Sequence, residues 1–109
     1  MLLSSQTCVE GKEIKRLGTI TGEYTLEENI YKGILSDMSR YDEIRNPAYE
    51  KELEKAKETV MEQMTKKTEE LGGNAILGLV MFHEVINFGR MMLIAGRGTA
   101  AYIDELEEL

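Results

Sequence analysis

Apolar residues recur every three to four positions through the middle of the chain. Tyr49, Leu53, Ala56, Val60, Met64 and Leu71 fall on one stripe, and the residues between them are almost all Glu, Lys, Gln or Thr. That spacing predicts an amphipathic helix. Asn46 stands where it can cap the helix, and Pro47 suits the first helical position, where no N–H is needed. Glu62 and Lys66 form an i,i+4 pair in the favourable order. The helix must stop at Gly72-Gly73, because a left-handed glycine ends helices. Gly73 is read as that residue, with Gly72 as the alternative. A second helix is predicted over residues 28–41 from Ile30, Ile34, Leu35, Met38 and Tyr41, with Asn29 as candidate N-cap and Gly33 as its weak point.

On either side of the helices the period shortens. Residues 2–5 predict a short edge strand, and Val9-Glu10-Gly11-Lys12 a turn. Residues 13–24 are rich in Ile, Thr and Tyr and predict a strand. Its alternation slips between Ile14 and Leu17, just before Gly18, which predicts a bulge. Residues 75–86 and 90–103 predict a strand pair joined by the turn Asn87-Phe88-Gly89-Arg90.

That pair carries the most telling pattern. Simple alternation puts Ala75, Leu77, Leu79 and Met81 on one face and Ile76, Gly78, Val80 and Phe82 on the other, so both faces are apolar. A half-exposed antiparallel sheet alternates with polar residues instead. Two helices on one side cover one face only, and a second copy of the chain is the simplest cover for the other. The order β-β-α-α-β-β gives an α+β fold, an antiparallel sheet with the helices packed on one face. One domain is expected over residues 1–103, followed by an acidic tail over 104–109.

Composition narrows the function without naming it. The chain has 109 residues, 42% of them hydrophobic, and a net charge of -7. Four of its acids lie in the last six residues. Such a balance does not attract phosphate backbones, so no nucleic-acid partner is expected. The tail reads as solvated, or as a docking peptide for a protein partner. One cysteine, Cys8, excludes an internal disulfide and suits a reducing compartment. The N-terminus lacks the pattern of a signal peptide, and no apolar run is long enough to span a bilayer. A cytoplasmic protein with no membrane partner is the expectation.

Candidate chemistry is sparse. His83 is the only histidine. It is a candidate metal ligand or base, or else a strand residue near a turn. Cys8 could bind a soft metal, but one thiol and one distant imidazole fall short of a zinc pattern. Met81, Met91 and Met92 read as packing residues before they read as Cu(I) ligands. Glu50, Glu52, Glu54, Glu58 and Glu62 alternate with lysines and read as a solvated face. Gly96-Arg97-Gly98-Thr99-Ala100 matches no phosphate-binding fingerprint and reads as a site of close strand approach. Nothing pairs with His83 as a triad would require, so no catalytic residues are assigned.

Several blocks together carry a resemblance: Thr21-Gly22-Glu23, Asn29-Ile30, Ala48-Tyr49-Glu50-Lys51-Glu52-Leu53, Leu71 to Gly78, and Gly98-Thr99-Ala100. In order and spacing they resemble the bacterial YbjQ-like family, labelled heavy-metal-binding, over about residues 2–103. The resemblance implies an α+β subunit that assembles into a ring, a homopentamer, and a metal ion as the ligand class. Many members resemble Gly-x-Asp-x-Asp-Tyr-Glu after the position of Gly78. Here Val80 and Phe82 stand at the two Asp positions, His83 stands at the Tyr position, and only Glu84 is kept. Glu43-Ile44-Arg45 likewise replaces the family's Gly-Gly-Arg before the long helix.

The leading expectation is a cytoplasmic, homo-oligomeric binding module of unidentified ligand. A metal is the inherited class, with His83, Glu84 and Cys8 as the candidate metal residues. The rival is a structural or protein-interaction subunit without ligand or catalysis. Metal content of the pure protein separates the two.

Overall fold

The structure is a computed structural model and describes residues 1–38 and 47–104. Its elements follow the expected order: β1 (Leu2–Leu3), β2 (Ile14–Glu27), α1 (Glu28–Met38), α2 (Pro47–Glu70), β3 (Ala75–Ile86) and β4 (Met91–Ile103). They form one four-stranded sheet in the order β1-β3-β4-β2. The sheet is mixed, and the expectation of a wholly antiparallel one is corrected. β1 runs parallel to β3, with Leu2 opposite Ala75, while the other pairings are antiparallel. A parallel pair needs a long crossover, and here β2 and both helices supply it. Expected Asp104 onward as tail, the chain is described only as far as Asp104.

The long helix stops through two glycines with different tasks. Gly72 is left-handed, at φ 82. Its N–H donates to the Glu69 carbonyl at 2.9 Å, and that of Gly73 donates to the Thr68 carbonyl at 2.9 Å. This is the Schellman arrangement with Gly72 at its left-handed position, so the alternative residue carries the role first given to Gly73. Gly73 is needed for space instead. A Cβ there would lie 2.7 Å from Cγ2 of Thr68 and 2.9 Å from the carbonyl oxygen of Ala101.

Two other local readings change. Asn29 is no cap, because β2 runs unbroken to Glu27 and α1 begins at Glu28. Leu71 is exposed and lies beyond α2, and the buried stripe ends on Thr68. The Thr68 hydroxyl donates to the Met64 carbonyl at 2.9 Å, which satisfies a polar group with no solvent access. Asn46 and Tyr41 lie outside the described residues.

α2 lies across β2 and β4, with α1 beside it. Between helices and sheet, Ile20, Leu26, Tyr31, Ile34, Val60, Met64, Ile76, Met92 and Ile94 form the main core. Two glycines opposite each other on neighbouring strands, Gly22 and Gly96, let α2 come this close. A Cβ on Gly22 would sit 2.5 Å from the Val60 carbonyl oxygen, and one on Gly96 would sit 2.7 Å from the Met64 sulfur.

A bulge decides which face of β3 each later residue occupies. The register with β4 shifts between Leu77 and Val80, and Gly78 within it has φ 60. One extra residue reverses the alternation beyond it. Ile76, Leu79, Met81, His83 and Val85 therefore share the helix side, and Ala75, Leu77, Val80, Phe82 and Glu84 the other. The expected faces hold only as far as Leu77. The second expected bulge is present, between Arg16 and Gly18 of β2.

The face away from the helices is thus divided. Near the start of β3, Ala75, Leu77, Ala101 and Ile103 are buried, with Leu2, Val9 and Ile14 packed against them. The chain's own N-terminal segment covers this half. It is fastened by hydrogen bonds from Gly78 N to Gln6 O at 2.8 Å and from Leu79 N to Ser4 O at 2.9 Å. No such cover lies over the later half among the described residues.

Candidate functional site

Among the described residues, β3 pairs with β4 alone beyond Leu79, and the outer side of residues 80–86 is an open sheet edge. Its side chains are apolar and poorly covered: Val80 is 46% exposed, Met81 39%, Phe82 44% and Val85 50%. An open edge flanked by apolar residues on both faces invites another strand or subunit, and proteins ordinarily block such edges with charge, proline or a covering element.

The opposite edge of the same sheet is clipped by α2 at Thr21 and Glu23. The side-chain amide of Gln63, on α2, accepts from the Glu23 N–H at 2.9 Å and donates to the Glu23 carbonyl at 3.1 Å. The ammonium of Lys67 donates to the Thr21 carbonyl at 2.6 Å. Asn74 acts similarly at the end of β4, accepting from Ile103 N and donating to Ile103 O, both at 2.8 Å. Side-chain amides therefore take the place of a missing strand on β2 and β4.

On the helix side of the open edge lies a cavity of about 290 Å³. Ile34 of α1, Leu53 of α2, Met81 of β3, and Met92 and Ile94 of β4 give it an apolar wall, Lys57 and His83 are its polar members, and Phe82, whose side chain belongs to the opposite face of β3, borders it. A larger hollow of about 410 Å³ follows the outer side of α2, bounded by Glu58, Glu62, Lys66 and Glu69. That hollow is open helix surface with no convergent groups. The recess beside His83 is the better binding site, as an apolar hollow with a few polar groups.

The candidate metal residues are not gathered. His83 pairs with Ile94 on the helix side, and Glu84 pairs with Leu93 on the other face. Cys8 is free and exposed, in the N-terminal segment that covers the early half of β3. The methionines divide as well: Met81 and Met92 line the cavity, whereas Met91 accepts a contact from the Asn87 amide at 3.8 Å in the turn. Among the described residues, no three His, Cys, Asp or Glu side chains come together in a way that could hold a metal ion. Among the same residues, no helix is long and apolar enough to cross a membrane.

Two features had no counterpart in the sequence reading. One is the clip of Gln63 on Glu23. The other is the side chain of Phe88: the expected hairpin turn is present, with φ of 53, 58 and 84 at Asn87, Phe88 and Gly89, and it leaves Phe88 wholly exposed. The Tyr31 hydroxyl donates to the Gly89 carbonyl and ties that turn to α1. The triplet Asn-Phe-Gly was a signal for a left-handed turn, but not for where its phenyl ring points.

Comparison with known proteins agrees with this architecture. A family model described as "Putative heavy-metal-binding" matches residues 1–104. The chain is 34% identical over 105 residues to a "UPF0145 protein" of Carboxydothermus hydrogenoformans, covering 95% of this chain and 97% of that one. It is 32% identical over 106 residues to a "UPF0145 protein" of Anoxybacillus flavithermus, covering 96% and 100%. A crystal structure of a protein of unknown function from Pediococcus pentosaceus, assigned to the DUF74 family, has the same fold. It superposes with a TM-score of 0.61 at 20% identity, over 95% of this chain and 98% of that one. From its first residue to Asp104, this chain belongs to the YbjQ-like family, the one described as "Putative heavy-metal-binding".

Proposed function

We propose that this protein is a homo-oligomeric binding module of the cytoplasm, and that the surface around the later half of β3 first binds other copies of the chain. The observation that carries the reading is the asymmetry of the sheet. One edge is clipped at Thr21 and Glu23 by Gln63 and Lys67. The other is left open between apolar residues on both faces. Burying Val80, Met81, Phe82 and Val85 against a neighbour would contribute roughly 1 kcal/mol each, since each is already about half covered. A ring, and a pentamer in particular, is one closed form such a subunit can take.

The ligand class named by the family is a metal ion, and the described residues of one chain do not fit it. His83 and Glu84 lie on opposite faces of β3, Cys8 belongs to another segment, and Val80 and Phe82 stand where the family pattern carries Asp. A metal site therefore has to be composed between copies, each giving one His83. The rival reading is a structural or protein-interaction subunit without ligand. Light scattering combined with elemental analysis of the purified protein tests both points. An oligomer carrying stoichiometric metal supports the binding module, and a metal-free oligomer favours the rival. A monomer at micromolar concentration overturns the assembly.

A further inference from the structure

We infer that Phe88 of one copy inserts into the cavity beside His83 of a second copy. This inference rests on the assembly proposed above and adds which parts meet. Phe88 is the most exposed large apolar side chain among the described residues. It does not sit on a slack loop. Its turn is closed by Arg90 N donating to Asn87 O at 3.2 Å, and the adjoining Gly89 carbonyl is held by the hydroxyl of the buried Tyr31.

The backbone at Phe88 is unusual for its side chain. With φ 58 and ψ 37 it is left-handed, a region where glycine and asparagine are at ease and a bulky residue is uncommon. Strain of this kind points to a task for the residue that bears it. Here the strained turn holds a phenyl ring away from its own subunit.

The cavity suits that ring. An apolar cavity of about 150 Å³ lined by Leu, Ile and Phe accepts benzene, so one of about 290 Å³ has space for a benzyl group and the backbone that brings it. Its wall of Ile34, Leu53, Met81, Met92 and Ile94 matches the ring in polarity. It also adjoins the open edge, because Met81, Phe82 and His83 belong to both. Phe88 and the cavity are different surfaces of one chain. Their contact therefore either exchanges between two copies or continues head to tail until a ring closes.

The test uses the full chain and two variants. Phe88→Asn keeps the left-handed turn while removing the ring, so loss of assembly is not loss of fold. Leu53→Arg places a charge in the cavity while leaving Phe88 in place. Each variant alone is expected to dissociate at concentrations where the wild type is assembled, with a dissociation constant raised at least roughly 30-fold, the scale of a central aromatic anchor. Mixed in equal amounts, the two should form 1:1 heterodimers in analytical ultracentrifugation, because one retains the ring and the other the cavity. A wild-type monomer would overturn the assembly itself. A wild-type oligomer that Phe88→Asn leaves intact overturns this inference alone, as does the absence of heterodimer from two monomeric variants.

Discussion

Gln63 binds both backbone groups of one residue, Glu23, as a neighbouring strand would. Its Oε1 accepts from the Glu23 N–H at 2.9 Å, and its Nε2 donates to the Glu23 carbonyl at 3.1 Å. The pairing links the long helix to the outer edge of β2 across forty positions of sequence. Together with Lys67 on Thr21, it clips the middle of that edge, whereas no such clip lies on residues 80–86 of β3 among the described residues.

Gln63→Ala should lower stability by about 1–2 kcal/mol, the scale of two partly exposed hydrogen bonds. For a domain of this size that is a fall in melting temperature of several degrees. Gln63→Ala combined with Lys67→Ala should also raise the tendency to aggregate, by freeing the edge. Thermal unfolding and turbidity check this, and unchanged values for both variants would show that the clip is incidental.

Phe82→Asp should weaken self-association. Phe82 stands on the open half of β3, and a carboxylate buried there without a partner is costly. Light scattering should show wild type at a multiple of 12.4 kDa and the variant shifted toward one chain mass. An unshifted mass would place the contact elsewhere.

Gly72 and Gly73 should separate by the substitution each accepts. Gly72→Val should cost on the order of 1–2 kcal/mol, since a branched side chain is disfavoured at positive φ. Gly72→Asn should cost less, because asparagine tolerates that conformation. Gly73→Asn should be poorly tolerated, since its Cβ would meet Thr68 and the Ala101 carbonyl. Equal melting temperatures for the two Asn variants would contradict the division of roles.

Zinc and copper titrations should show no tight site within one chain, and at most soft binding through His83. His83 and Glu84 cannot readily chelate one ion from opposite faces of a strand. Calorimetry of wild type and His83→Ala decides. Tight stoichiometric binding abolished by His83→Ala would support a site shared between subunits. Tight binding that survives the substitution would place the site on other residues.

The sequence by itself determined what depends on near neighbours. The stripe from Leu53 to Met64, with Pro47 ahead and Gly72-Gly73 behind, fixed α2, because helical spacing and helix ends are local. The same holds for the strand pair around Asn87-Phe88-Gly89 and for the slip before Gly18. The doubly apolar character of β3 was equally plain.

Tertiary structure decided where those apolar residues face and what covers them. The bulge at Gly78 sends Leu79 and Met81 to the helix side, because one inserted residue inverts a period of two. The parallel pairing of β1 with β3 joins segments some seventy positions apart, and the N-terminal segment then hides half of a face that spacing alone left bare. Gln63 on Glu23, Tyr31 on Gly89 and the cavity beside His83 are likewise meetings of distant residues. Periodicity records which residues avoid water; it holds no record of which distant segment will shield them, since that is settled only when the chain closes on itself.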